Sequence, residues 1–255
     1  MPNVKGVVQQ QFSAVAEQYR TSQVHALGAD LAHIEDYVKQ HTAPLVLDVG
    51  CGAGHVTRIV APHSQAVVAF DLTAAMLEQV DCHMQAHQIT NVRTQQGDVE
   101  QLPFADGTFD LVVSRYSAHH WPDPLRAVGE CLRVLKPRGS FPLSDIVVPN
   151  APAVDSFIQA IEILRDQSHV RDHRIAEWCA MFEEHHATIQ VLNTWEVALD
   201  FVAWVQRMAT PSDRVAILQS LLATASHEIS SALAIRSDHS FTLQGALICG
   251  IVSHR

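Results

Sequence analysis

Acidic residues and glycines meet at one point of this 255-residue chain in a pattern that can hold a nucleoside. Leu45–Val49 is a short apolar run interrupted only by Asp48, and glycines follow at 50, 52 and 54. Such a run predicts a buried strand entering a tight turn and then a helix. Glycine lets the backbone turn with positive φ and lets a ligand approach without meeting a Cβ. A second apolar run, Ala66–Phe70, ends in Asp71, twenty-one residues beyond Gly50. A carboxylate at that distance can accept hydrogen bonds from both hydroxyls of a ribose. The implied chemistry is the binding of a nucleoside-containing cofactor.

Spacing narrows the cofactor. A dinucleotide fingerprint reads G-x-G-x-x-G, with pyrophosphate resting on the helix N-terminus. Here the order is Gly50-x-Gly52-x-Gly54, and His55 stands where the third dinucleotide glycine would fall. No Lys-Ser/Thr pair follows to make a phosphate-binding loop. An NAD(P)-dependent oxidoreductase is the alternative that Asp71 leaves open, without a Tyr-x-x-x-Lys or similar hydride-transfer set. Asp48, Gly50, Gly52 and Gly54 resemble the first motif of the class I S-adenosylmethionine-dependent methyltransferases, an acidic residue followed by G-x-G-x-G.

The resemblance covers residues 40–150 and is closest to the small-molecule, ubiquinone/menaquinone-type (type 11) branch. Gly97-Asp98-Val99-Glu100-Gln101-Leu102-Pro103-Phe104 matches that branch's third motif. It implies that Asp98 takes the adenine amino group and Val99 packs on the ring, with Leu72 and Met76 as further packing. Cys51, Gly97, Ser114 and Arg115 join the implied cofactor site. Tyr19 is placed over it by the family's N-terminal helix, or is simply the last core residue of its stripe. Leu135-Lys136-Pro137-Arg138-Gly139 resembles the usual L-K-P-G-G turn, with Arg138 in place of a glycine.

The implied donor is S-adenosyl-L-methionine, leaving as S-adenosyl-L-homocysteine, and its sulfonium already activates the methyl group. Positioning of an acceptor can then contribute about 7–11 kcal/mol, and a general base a further 10²–10⁴-fold or so. His119 and His120 are the base candidates, because they follow the strand-four end that faces the donor methyl. Alternatively one bonds the backbone and the other packs under Trp121. Asp145, Arg165, His169 and Arg171 are candidate acceptor contacts. The alternatives are a turn cap for Asp145 and a solvated helix end for the others. No metal is expected. His119-His120 and His185-His186 are adjacent rather than i, i+4, and zinc-type cysteine spacing is absent.

Elements to position these residues are legible around them. Phe12, Val15, Ala16 and Tyr19, then Val24, Leu27, Leu31, Ile34 and Val38, follow helical spacing. A helix runs from Gly54 to about Val60, and Thr73 caps another carrying Met76, Leu77, Val80 and Met84. Asn91–Gln95 and Phe109–Ser114 read as strands; Asp123-Pro124 starts a helix ending near Lys136-Pro137. Ser140–Val148 is a fifth strand, in which Pro142 predicts a bulge or locally broken pairing. Alternating strands and helices imply a parallel, doubly wound sheet that binds its ligand at the strands' carboxyl ends. The resemblance makes this a seven-stranded Rossmann-like α/β fold, with Thr188–Leu199 as strand six and Phe241–Val252 as strand seven, inserted antiparallel beside the fifth.

The expected organisation is one domain over 1–255. N-terminal helices occupy 1–43, the cofactor core 44–150, helical lid segments 151–186 and 200–238, and the last strands 187–199 and 240–253. Thr210-Pro211-Ser212-Asp213 reads as a cap with proline at the first helical position. Net charge is −10, with no Lys/Arg-rich run, which argues against a nucleic-acid substrate. No signal peptide or membrane-length apolar stretch is visible, and five scattered cysteines fit a cytoplasmic, reduced protein. The expected partner is a small methyl acceptor, hydrophobic or aromatic, methylated on O or C. A non-catalytic cofactor-binding module of the same fold is the other alternative.

Overall fold

The computed structural model describes residues 3–21 and 28–253, with the side chains of 18–21 and 29 outside that description. Its strands are β1 (Leu45–Val49), β2 (Ala66–Asp71), β3 (Val92–Gln96), β4 (Phe109–Arg115), β5 (Leu135–Val147), β6 (Ala187–Leu199) and β7 (Phe241–Val252). They form one seven-stranded sheet in the order β3-β2-β1-β4-β5-β7-β6. Neighbours from β3 to β5 run parallel, and β7 is antiparallel to both β5 and β6. This is the doubly wound α/β sheet expected from the alternation of elements.

Continuous apolar runs mark strands covered on both faces. On one face Leu47, Val49, Phe70, Val112 and Phe141 pack against α5 (Pro124–Arg133) and α7 (Ile175–Glu184). On the other, Val46, Val67, Leu111 and Val113 meet α2 (Ala29–Lys39) and α3 (His55–Val60). A further apolar cluster ties α6 (Pro152–Arg165), α8 (Phe201–Arg207), α9 (Ser212–Ala223) and α10 (His227–Ala232) to the ends of β6 and β7. The remaining helices are α1 (Val4–Thr21) and α4 (Ala74–Ala86), which pack on each other.

Several local expectations are corrected. The helix from Pro124 ends at Arg133, and β5 already begins at Leu135. The bulge lies between Leu135 and Ser140, where β4 pairing jumps from Phe109↔Leu135 to Leu111↔Ser140. Pro142 pairs with Cys249 in an unbroken register to β7, whereas towards β4 the pairing skips Phe141 and Pro142 and resumes at Ser114↔Leu143, the locally broken pairing expected of a residue without a ladder donor. Arg138 takes φ +66°, the left-handed conformation for which glycine is the usual residue, so the turn keeps its shape. Residues 152–186 are not one helical stretch; residues 166–174 separate α6 from α7. Thr73 stands at the N-cap of α4 without a side-chain capping bond. Pro211 is itself the N-cap of α9, one position before that expected. Val24 and Leu27 lie outside the described residues.

Candidate active site

The order reversal of the sheet falls between β1 and β4, and a cavity of about 1010 Å³, open to solvent, lies at their carboxyl ends. Its floor is the turn after β1. Gly50 and Cys51 both donate their backbone N–H to the Phe70 carbonyl, at 2.8 and 3.1 Å, which clips the turn to β2. Gly52 holds φ +50°, and a Cβ there would meet no atom within 4 Å. A side chain at this position would enter the cavity, so the bare backbone is what leaves room for a ligand. Gly54, at φ +83°, begins α3 with its Cα packed towards Val80, outside the cavity lining.

Asp71 closes the adjacent wall. Its Oδ2 accepts the Gly52 N–H at 2.9 Å and its Oδ1 the Thr73 N–H at 2.8 Å. Burial raises its pKa against these hydrogen bonds. Asp48 is 1% exposed, with Oδ2 accepting from Thr57 Oγ1 at 2.5 Å and Oδ1 without a partner. Burial lifts its pKa to about 7; the Thr57 hydrogen bonds oppose the rise and the Asp71 charge adds to it. Two carboxyl groups thus face a cavity that calls for hydroxyls and for positive charge. Leu72, Met76, Gly97 and Val99 line the same cavity, as do Cys51 and Asp98.

The roof is α1, whose Lys5, Val8 and Phe12 line the cavity. Lys5 Nζ donates to Asp98 Oδ2 at 2.6 Å and also to Glu100 Oε2. The other Asp98 oxygen accepts the Glu100 N–H at 3.0 Å. The Asp98 carboxylate is therefore engaged by the protein as well as turned to the cavity. Sequence reasoning missed Lys5, although it shares a helix face with Val8 and Phe12 at i, i+3, i+7. Tyr19 also lies on α1, but its side chain is outside the described residues.

At the end of β4 the assignments divide. Arg115 lines the cavity, its guanidinium held by buried Asp30 of α2, with Nη2 to Oδ1 at 3.0 Å. Ser114 is fully buried behind the lining and bonds Ser117 Oγ at 2.8 Å; it is Ser117 that faces the cavity. Tyr116, which sequence reasoning passed over, holds φ +49° and lines both this cavity and a second one. The second cavity, about 560 Å³, lies between β5, β6, β7, α6 and α8.

His119 and His120 follow on a single 3-10 turn, with ring centroids 4.2 Å apart, and they face different cavities. His120 lines the first, edge-on to Phe12 at 4.9 Å, and its Nδ1–H donates to the Ser168 carbonyl at 3.0 Å. Burial and the neighbouring His119 charge lower its pKa to about 4, so the ring is neutral. His119 lines the second cavity and donates from Nδ1 to Asp145 Oδ1 at 2.7 Å. Burial opposes its charge, but the Asp145 carboxylate outweighs burial and lifts the pKa to about 9.

The other candidates scatter. Arg165 lines the second cavity, paired with Glu162 at 2.9 Å. Asp145 and His169 sit just behind it, His169 bonded to Gln159 at 3.0 Å and driven down to a pKa of about 2 by burial and the nearby imidazoles. Arg171 is turned away, paired with Asp155 at 2.8 Å. One group among the described residues has metal-ligating composition: His119, Asp145 and Asp172 offer atoms within 4.8 Å of one another.

With this geometry in place, similarity to known proteins becomes informative. Residues 47–143 match the model of a methyltransferase domain. The chain is 38% identical over 245 residues to the uncharacterized methyltransferase YcgJ of Bacillus subtilis (strain 168), covering 94% of this chain and 97% of that protein. It is 41% identical over 193 residues to the uncharacterized protein YafE of Escherichia coli (strain K12), covering 76% and 93%. A shorter stretch, 40% of this chain and 43% of the relative, is 32% identical to the ubiquinone biosynthesis O-methyltransferase of Coxiella burnetii (strain Dugway 5J108-111). The crystal structure of YcgJ superposes with a TM-score of 0.83 at 35% identity, over 88% of this chain and all of that one.

The chain belongs to the class I S-adenosylmethionine-dependent methyltransferases. In this methyltransferase the space over Gly52 is open, the buried Asp48 Oδ1 has no hydrogen-bond partner, and a neutral His120 lines the same cavity. No helix among the described residues is long and apolar enough to cross a membrane.

Proposed function

We propose that this methyltransferase transfers the methyl group of S-adenosylmethionine to a small hydrophobic or aromatic molecule, on oxygen or carbon. The observation that carries the reading is the pair of adjoining cavities. The space over Gly52 and Asp71 adjoins, at Tyr116, a second space of about 560 Å³ that is likewise open to solvent. Two adjoining pockets of this kind support a donor and a small acceptor held side by side. The walls of the second are largely apolar, with Ile146, Val197, Leu199, Trp204 and Leu243.

In this reading Asp71 takes the ribose hydroxyls, Asp48 faces the positive end of the donor, and Leu72, Met76 and Val99 enclose the adenine beside Asp98. The donor supplies an activated methyl group when bound. The chain's own contribution is to bring the acceptor in line through the wall at Tyr116 and to exclude water beneath α1. The Coxiella relative is a ubiquinone biosynthesis O-methyltransferase, which supports a small acceptor. The net charge of −10 supports an acceptor that is not a nucleic acid. Calorimetry with S-adenosylmethionine, S-adenosylhomocysteine and NAD tests the donor; both adenosyl ligands are expected to bind and NAD not to. Tight NAD binding without a response to the adenosyl ligands would overturn the assignment. A labelled-methyl transfer screen of cell extract then reads out the acceptor class.

A further inference from the structure

The polar end of the second cavity sets an unpaired carboxylate against another carboxylate, and the fold holds it there. Asp172 is 2% exposed, and its Oδ2 has no hydrogen-bond partner. Its backbone is pinned on both sides. The Gln159 side chain of α6 accepts the Asp172 N–H at 3.1 Å and donates to the Asp172 carbonyl at 2.8 Å. The His119 carbonyl accepts from the N–H groups of Val170 and Arg171, at 2.8 and 3.1 Å, and His173 bridges to Val147 of β5. Asp145 is fixed as firmly, Oδ1 accepting from the Ile146 N–H at 2.8 Å and Oδ2 from the His119 N–H at 3.1 Å. One imidazole nitrogen of His119 and one carboxylate oxygen each from Asp145 and Asp172 thereby lie within 4.8 Å of one another.

A buried carboxylate oxygen without a partner costs free energy, and a second carboxylate beside it adds to the cost. The charges that bear most on Asp172 are those of His119, Glu162, Asp145 and Arg165. Arg165 is engaged by Glu162 at 2.9 Å, so His119 is left to balance two aspartates. A divalent cation answers both carboxylates at once. An ion with ligand bonds of about 2.1 Å sets adjacent ligands about 3 Å apart and opposite ones about 4.2 Å apart. The 2.7 Å between His119 Nδ1 and Asp145 Oδ1, and the 4.8 Å that bounds the trio, lie close to those spacings. Such an ion sits between the three atoms and so reaches an oxygen that solvent does not. Two carboxylates and one imidazole, with no thiolate, suit hard to borderline divalent ions of the Mn²⁺ and Fe²⁺ type.

We propose that His119, Asp145 and Asp172 hold one divalent cation of the Mn²⁺ type at the polar end of the second cavity. Three ligands from the chain leave the cavity side of the ion open to water or to an oxygen of a small molecule. The ligands come from the turn after β4, from β5 and from the segment before α7, so no spacing in the sequence announces them. The site stands independently of the donor reading, and its test needs no donor.

The test uses the full chain, cleared of metal with a chelator and titrated with Mn²⁺ while the electron paramagnetic resonance signal of the free ion is followed. One Mn²⁺ per chain is expected to bind at micromolar concentration, and the bound ion to show spin-echo modulation from an imidazole nitrogen. Asp172→Asn keeps the size of the side chain and removes its charge; it is expected to weaken binding about tenfold or more while its urea midpoint shows that it folds. His119→Gln is expected to remove the nitrogen modulation. No binding at millimolar Mn²⁺, binding unchanged in Asp172→Asn, a bound ion without nitrogen modulation, or modulation that survives His119→Gln would each overturn the proposal. S-adenosylhomocysteine binding is measured apart, and its failure would bear on the donor reading alone.

Discussion

Binding of the methyl donor should expel a proton from Asp48. Its carboxyl is buried beneath the cavity, with one oxygen on Thr57 and the other unmatched, and burial lifts its pKa from 3.8 to about 7. A rise of about three pH units corresponds to roughly 4 kcal/mol withheld from the ionised form. A donor that carries a sulfonium and an ammonium returns much of this by placing positive charge opposite Asp48. Donor affinity should then climb by up to about tenfold per pH unit between pH 5 and 7 and level off above. At pH 6 the free carboxyl is still largely protonated, so roughly 0.9 proton should leave per donor bound. Calorimetry at pH 6 in buffers of different ionisation enthalpy measures that number directly. Asp48 should take stability from the free protein as pH rises from 3.8 to about 7, because the unfolded chain gives up that proton first. Saturating donor should remove this contribution. Asp48→Asn should abolish the proton release and shift the pH slope of stability by that contribution. An unchanged slope in that variant, or no proton released at pH 6, would refute the reasoning.

Other expectations follow from the same site. Lys5→Ala breaks the contacts of α1 to partly exposed Asp98 and buried Glu100, and should cost about 1 kcal/mol. Faster amide exchange over residues 4–17, suppressed by donor, would be the signature. Asp30→Ala strands the buried Arg115 guanidinium and should destabilise the fold by about 3–5 kcal/mol in urea denaturation; a loss under 1 would show the pair to be dispensable. His119 has its pKa raised from 6.5 to about 9, so its contribution is complete below 6.5 and fades as pH rises through 9. His119→Gln should remove the part of the stability decline between pH 7 and 9 that this pair supplies, on the order of 3 kcal/mol at most. Identical pH profiles for the two proteins would deny the charged pair.

The residues determined the first cavity's floor almost by themselves. Asp48, the glycines, Asp71 and Gly97–Val99 lie on strand ends and on the turns directly after them. Local spacing there dictates spatial position, because a strand entering a glycine turn has few conformations to choose from. The parallel sense of β1 to β5 was legible from the alternation of apolar runs and helices, and the antiparallel β7 beside β5 from the family resemblance. Smaller errors had local causes. Leu135–Gly139 reads as a turn but is absorbed into β5 as a bulge, and the polar stretch after Arg165 breaks what looked like continuous helix. The second cavity was decided only in three dimensions. His119 and His120 are adjacent in the chain, yet a 3-10 turn points them into different cavities and gives them opposite charge states. Asp145, Glu162 and Asp172 reach His119 from β5, α6 and the segment before α7. No periodicity announces such a meeting, because it depends on how separate elements pack rather than on how any one of them is spaced.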